Sequence, residues 1–205
     1  QYTGGTTGTP KGTILTHRNL AANLTQIENW IKPDFGNELF LSGFPLFHLA
    51  CLALGLASLF MCGTQILIPN PRETKHIVKE MAKYKPTILV NVPSLYMMLL
   101  EEPGFRRLDF SRLSFCISGA SPFPADCIRA LEEVIGEGKL VEVYGMTETS
   151  PIVTMNPRRG RKKIGSVGLP VPSTKVRIVD LETGDRELPV GQEGEVVIAG
   201  PQVMK

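Results

Sequence analysis

Apolar residues along this chain recur in two rhythms, and the rhythm switches repeatedly. Leu20, Leu24, Ile27 and Ile31 stand three or four apart behind Thr16. That spacing predicts an amphipathic helix, capped by the threonine and ended before Pro33. Short apolar runs at 39–44, 64–68, 87–92, 113–117 and 140–144 read instead as buried strands. The run at 49–62 is continuous, shorter than the ~20 residues a bilayer span needs, and reads as a core helix. Its Ala50, Ala53, Gly55 and Ala57 permit close approach, and Gly63 ends it. Asn70 and Pro71 read as cap and first-turn proline of a helix whose apolar face is Ile77, Val78 and Met81. Ser94 reads as the cap of a short helix through Leu95, Met98 and Leu99, and a further helix is expected at 124–134. Strands alternating with helices predict an α/β fold with a parallel, doubly wound sheet. Such sheets bind ligands at the carboxyl ends of their strands.

The helical period is lost after Pro151. Residues 157–163 form a basic, Gly/Arg-rich loop, and 175–179 and 195–198 alternate or run apolar between turn residues. They predict a small antiparallel β unit. The expected division is therefore an α/β portion at 1–155 and a partial, barrel-like β subdomain at 164–205.

Composition narrows the classes. A net charge of +2 over 205 residues gives no case for nucleic acid or a polybasic membrane patch. Cys51, Cys62, Cys116 and Cys127 form no C-x-x-C pair, and two of them sit in an apolar run, so buried, reduced thiols are expected. The chain opens at Gln1 on a functional loop, without a signal peptide, and stops at Lys205. It reads as a piece of something longer.

The candidate chemistry starts in that loop. Thr3-Gly4-Gly5-Thr6-Thr7-Gly8-Thr9-Pro10-Lys11-Gly12 packs glycines, threonines and one lysine together. Glycines let backbone N–H groups approach and cradle an anion, hydroxyls add donors, and Lys11 adds a point charge suited to phosphate. A flexible surface turn is the bland alternative. It is not a Walker A loop, because Lys11 lies between Pro10 and Gly12 rather than before Ser or Thr. The second signal is Tyr144-Gly145-Met146-Thr147-Glu148, a hydroxyl and a carboxylate after a strand, which suit Mg²⁺ shared with phosphate. Taken alone, Thr147-Glu148 is an ordinary helix cap. His48, closing Pro45-Leu46-Phe47-His48, reads by itself as a satisfied structural residue, as do His17 and His76, and Gly119-Ala120-Ser121 as a turn.

These motifs in this order resemble the adenylate-forming superfamily: acyl-CoA synthetases, luciferases and peptide-synthetase adenylation domains. Gly4 stands where most members have Ser. Further likeness in Leu67-Ile68-Pro69-Asn70-Pro71-Arg72, Leu108-Asp109-Phe110-Ser111 and Gly165-Ser166-Val167-Gly168 points to bacterial long-chain fatty acid–CoA ligases.

The resemblance implies roles. Thr3, Gly4, Gly5, Thr6, Thr7, Gly8, Thr9 and Lys11 would hold the β- and γ-phosphates of ATP. Gly119, Ala120 and Ser121, with Glu142, Val143, Tyr144, Gly145, Met146 and Thr147, would border the nucleotide, Tyr144 packing on adenine. Glu148 would bind Mg²⁺ together with Thr3, and Thr147, Glu148 and Lys11 would act at the reacting phosphate. His48, Gly119 and Gly145 would face the acid, and the apolar run after His48 would line an acyl tunnel, its alternative being ordinary core.

The implied substrates are a fatty acid, ATP and coenzyme A. The implied setting is cytoplasmic, with peripheral contact at a membrane's inner face admitted, and nothing fixes the oligomeric state. An aryl-CoA ligase, a peptide-synthetase adenylation domain and a non-catalytic nucleotide-binding protein are the competing expectations. The ribose-binding aspartate, the hinge and the C-terminal domain with its lysine would lie outside the chain.

Overall fold

The structure, a computed structural model, describes residues 1–3 and 9–205. The expectations for Gly4, Gly5, Thr6, Thr7 and Gly8 therefore lie outside the described residues. Strands β1 (Tyr2–Thr3) and β2 (Lys11–Gly12) pair antiparallel, Thr3 opposite Lys11, and so pin both ends of the glycine-rich segment side by side.

Helix α1 (His17–Ile31) begins at Thr16, whose Oγ1 accepts from Asn19 N at 3.2 Å, while Asn19 Oδ1 accepts from Thr16 N at 2.9 Å. Each side chain satisfies a backbone N–H that the helix start leaves unpaired. The expected apolar face is only half of what is buried. Ile27 and Ile31 are buried and Leu20 and Leu24 half-buried, but Asn19, Asn23 and Gln26 are buried beside them.

The chain then runs β3 (Leu39–Ser42), α2 (Leu49–Phe60), β4 (Thr64–Leu67), α3 (Thr74–Tyr84), β5 (Ile88–Asn91), α4 (Pro93–Leu100), β6 (Phe115–Ser118), α5 (Ala125–Ile135) and β7 (Leu140–Gly145). Two helix starts differ from the sequence expectation. Asn70 and Pro71 do not open α3. Asn70 spends its side chain on Arg72 N and Glu73, making a turn, and the helix starts after Glu73. Ser94 does not cap α4. Pro93, with its preset φ, occupies the first turn one residue earlier, and Val92 precedes it.

Strands β3 to β7 lie parallel in the order β4-β3-β5-β6-β7. Side chains alternate between faces with period two. Leu41, Leu89, Cys116 and Leu140 pack with Ile77 and Met81 of α3, Leu99 of α4 and Leu131 of α5. Phe40, Val90, Ile117 and Val141 pack with Ile27 of α1 and Leu54 and Ala57 of α2. Helices thus cover both faces. Because β3 lies between β4 and β5, the chain leaves it to one side through α2 and returns past it through α3, so a crevice opens at the carboxyl ends of β3 and β5.

Beyond β7 the pairing turns antiparallel. Strands β8 (Ile152–Met155) and β9 (Leu169–Pro170), unforeseen in the sequence, extend the sheet to seven strands. They are short, and pairing alone defines them: β8 on the edge of β7, and β9 on β8. Strands β10 (Lys175–Val179) and β11 (Glu195–Ala199) form the expected antiparallel unit as a separate two-stranded sheet. The cysteine expectation holds for Cys51 and Cys116 and fails for Cys62. That residue is exposed, because it lies past the end of α2 with a positive φ of 54° that turns the chain out. All four thiols are free, and burial pushes the Cys116 thiol up to about 12.

Candidate functional site

The carboxyl ends of β3, β6 and β7 border a cavity of about 590 Å³. Its mouth carries Thr3, His48, Gly119, Gly145, Thr147 and Glu148. From there it runs along the sheet face that α1 and α2 cover, past Val90 and Ile117, to Phe40, Ile88, Ile31 and Met61. The walls are apolar almost throughout. Helix α2 contributes Leu49, Ala50, Ala53, Leu54 and Ala57, and Met61 follows at its C-terminal cap, so one face of the apolar run is both core and cavity wall. The expectation of a core helix holds for that run, and the same face lines the cavity.

Each mouth residue has a local cause. His48 is the N-cap of α2: its Nδ1 accepts from Ala50 N at 3.1 Å, and its ring stacks on Phe44 at 5.5 Å. The structural role expected of a lone histidine is thus real, and it leaves the ring at the cavity edge. Gly119 follows β6, where an added Cβ would come within 2.7 Å of Val143 Cγ2. Ala120, next in line, has a positive φ of 66°. Gly145 ends β7 at an irregularity in the pairing with β8, and an added Cβ would strike the Pro151 carbonyl. Close approach of two backbones therefore demands glycine there.

Thr147 and Glu148 lie in a one-turn 3-10 segment, Thr147–Thr149. Thr149 locks it: its Oγ1 accepts from Met146 N at 3.1 Å and lies 2.6 Å from Pro151 O. Glu148 is half-buried, and its carbonyl accepts from Met204 N at 2.8 Å.

A second cavity of about 450 Å³ adjoins the first across the ends of β6 and β7 and shares Ala120, Val143 and Gly145 with it. Ser121, Glu142 and Tyr144 line it, with Ser118, Phe123, Gly165 and Val167. Glu142 accepts from Gly165 N at 3.2 Å, and burial raises its carboxyl above the usual range. Ser118 Oγ is buried with no hydrogen-bond partner among the described residues.

Of the expected site residues, Thr3, His48, Gly119, Ala120, Ser121, Glu142, Val143, Tyr144, Gly145, Met146, Thr147 and Glu148 border one of these two adjoining cavities. Thr9 and Lys11 stand exposed at the end of the loop and in β2, outside both linings. The sequence reading missed Gly165 and Val167 as lining residues, and Ile27 and Ile31 on the helix side. Ile27 and Ile31 were legible as a helix face, but not what that face would meet. Among the described residues, no three His, Cys, Asp or Glu side chains gather as a metal cage. No helix among them is long and apolar enough to cross a membrane.

Comparison with known proteins bears on this arrangement. The family profile described as AMP-binding enzyme matches residues 1–205. A long-chain-fatty-acid–CoA ligase of Escherichia coli O6:H1 is 42% identical over 207 residues, covering all of this chain and 36% of the relative. The solved long-chain-fatty-acid-CoA ligase FadD1 of Archaeoglobus fulgidus superposes with a TM-score of 0.89 at 32% identity, covering 100% of this chain and 42% of that one. ATP-bound MatB from Rhodopseudomonas palustris superposes at 0.90 with 34% identity, covering 100% and 39%. The chain thus spans a little over a third of the length of the proteins it matches.

Proposed function

The chain belongs to the AMP-binding enzyme family, and on that premise we propose that this protein is an AMP-forming fatty acid–CoA ligase. The acid's carboxylate attacks the α-phosphorus of ATP, expelling pyrophosphate and leaving an acyl-adenylate. The thiolate of coenzyme A then attacks the acyl carbon and AMP departs.

One observation carries the reading: an apolar cavity of about 590 Å³ whose mouth holds Thr3, Thr147 and Glu148 beside the tethered ends of a glycine-rich loop. A fatty acid lying along α2 would put its carboxylate at that mouth. The loop from Thr3 to Lys11 holds the terminal phosphates through backbone donors and charge. Gly119, Gly145 and His48 border the acid's carboxylate at the mouth.

The second cavity takes the nucleoside. Tyr144 packs on the base, Ala120, Ser121, Glu142 and Val143 border it, and Ser118 Oγ, without a partner among the described residues, offers it a hydrogen bond. The residues present fit Mg²⁺ held jointly with substrate. Glu148 supplies one carboxylate, and Mg²⁺ is commonly bound by one or two carboxylates plus phosphate oxygens. When bound, the ion offsets charge on the phosphates. Holding reactants in line and neutralising developing charge accounts for most of the acceleration such a site can supply.

In this reading residues 1–155 form the nucleotide- and acyl-binding portion, and residues 164–205 begin a β subdomain. The enzyme works in the cytoplasm and draws fatty acid from a membrane's inner face.

The test is acid-dependent ATP–pyrophosphate exchange, run on the intact protein over acids from acetate to palmitate. Each buried CH₂ contributes about 0.8 kcal/mol, so specificity climbs steeply with length until the cavity is full. A flat profile, or a preference for aryl acids, overturns the fatty-acid reading.

A further inference from the structure

The buried face of α1 is half polar. Asn19, Asn23 and Gln26 stand at successive turns with relative exposures of 8%, 1% and 5%. Burying three amides is costly unless each is hydrogen-bonded, and here each is. Asn23 grips one backbone unit from both sides: its Nδ2 donates to Ile152 O at 2.8 Å, and its Oδ1 accepts from Ile152 N at 3.1 Å. Ile152 pairs with Gly145 at the start of β8. Asn19 Nδ2 donates to Pro201 O at 2.9 Å and Val203 O at 2.8 Å, and the next residue, Met204, donates its N–H to Glu148 O at 2.8 Å. Gln26 reaches Pro172 O and Gln202, away from the 145–152 turn.

The turn bearing Thr147 and Glu148 is therefore tied to one helix at two points: Ile152 directly, and the Glu148 carbonyl through 201–204. The same helix follows β2, the strand that closes the glycine-rich loop. Helix α1 thus connects the β2 end of that loop to the turn.

We infer that Asn23, assisted by Asn19, is a positioning residue that sets the Glu148 carboxylate relative to the loop at 3–11. This rests on the ligase reading above, in which those two elements share one phosphate-bound metal. Asn23 touches no reactant; it acts through the backbone of Ile152. A misplacement of about 1 Å in such a constellation can cost on the order of a hundredfold in rate.

The test uses the intact enzyme with Asn23→Leu, the milder Asn23→Ser, Glu148→Gln, and Ile77→Val as a control. Ile77 is fully buried in α3 on the other face of the sheet, so trimming it removes stability without touching the turn. In Asn23→Leu, kcat should fall about ten- to a hundredfold with KM for the fatty acid unchanged. The Mg²⁺ midpoint of the ATP-induced thermal shift should rise, and amides of 145–152 should lose hydrogen-exchange protection. Ile77→Val should lower the melting temperature and leave the Mg²⁺ midpoint and those amides unchanged. Asn23→Ser, whose hydroxyl cannot span both backbone groups, should show the same pattern more weakly, and it decides the matter if the leucine variant does not fold. A wild-type Mg²⁺ midpoint and wild-type protection in whichever Asn23 variants fold overturn the inference while Glu148→Gln still shifts the midpoint. If Glu148→Gln shifts nothing, it is the site reading that fails.

Discussion

Glu142 and Gly145, three residues apart in β7, show opposite relations between environment and side chain. Gly145 has none because the Pro151 carbonyl occupies the space a Cβ would fill. Glu142 has one that is partly out of place, a carboxyl whose affinity for its proton is raised by burial more than the Gly165 N–H lowers it. A carboxyl whose folded pKa is raised contributes stability below its unfolded pKa, near 4.5, and loses it as pH rises through the folded value. Above that range the charged form is the strained one. Glu142→Gln keeps an oxygen for Gly165, so the variant should unfold at higher urea than wild type at pH 7. The gain should disappear below about pH 4.3, where free glutamate protonates. Urea titrations at the two pH values check this, and a lower midpoint at pH 7 would show that the charge is stabilising.

Among the elements, α2 carries the most consequence for selectivity. Its apolar face packs on the sheet, yet small residues at 50, 53 and 57 leave a cavity between helix and strands. Ala57 is 5% exposed and lines that cavity well inside the mouth. Ala57→Leu adds three carbons where the proposed acyl chain runs. The preferred acid should become shorter by two to three methylenes, with about 0.8 kcal/mol lost per CH₂ excluded. Pyrophosphate exchange over a series of acids reads this directly, and an unchanged optimum would place the chain elsewhere. Helix α1 makes a different point. Its apolar spacing was plain in the sequence, but nothing there singled out Asn19, Asn23 and Gln26. Their burial comes from β8 and the 201–204 segment, which lie far along the chain.

For the molecule as a whole, the chain covers 36% of a relative's length, and several large apolar side chains lie open. Phe47 is 80% exposed, Leu59 75% and Leu46 62%. Exposed apolar surface of this kind marks contact sites or aggregation risk. Residues 1–205 assayed alone should therefore form no measurable acyl-CoA and should bind a hydrophobic dye. Groups that position one transition state act as a unit, so a partial set retains little catalysis. Formation of palmitoyl-CoA by the isolated, monomeric chain would contradict this.

Local patterns sufficed wherever the cause was local. Alternating strands and helices announced a parallel sheet, because a buried strand and an amphipathic helix each carry their own period. Thr16 announced its cap, since a capping side chain bonds the backbone of its own first turn. The placing of Thr147 and Glu148 just after a strand was likewise legible, while the roles expected of Thr3, Glu142 and Tyr144 rested on the family resemblance. Where two local signals competed, as at Asn70-Pro71 and Pro93-Ser94, the sequence did not say which would win. Tertiary structure alone decided what met what. Strand β8 exists because β7 offers it an edge, and β9 because β8 does, not because 152–155 or 169–170 favour extension strongly. The apolar run at 49–62 became a cavity wall only because the sheet stands off from its small residues. Three amides on α1 turned inward because backbone from residues more than a hundred positions away had unpaired groups to meet them. Burial and pairing between distant segments depend on the whole packing, and no short window of sequence contains it.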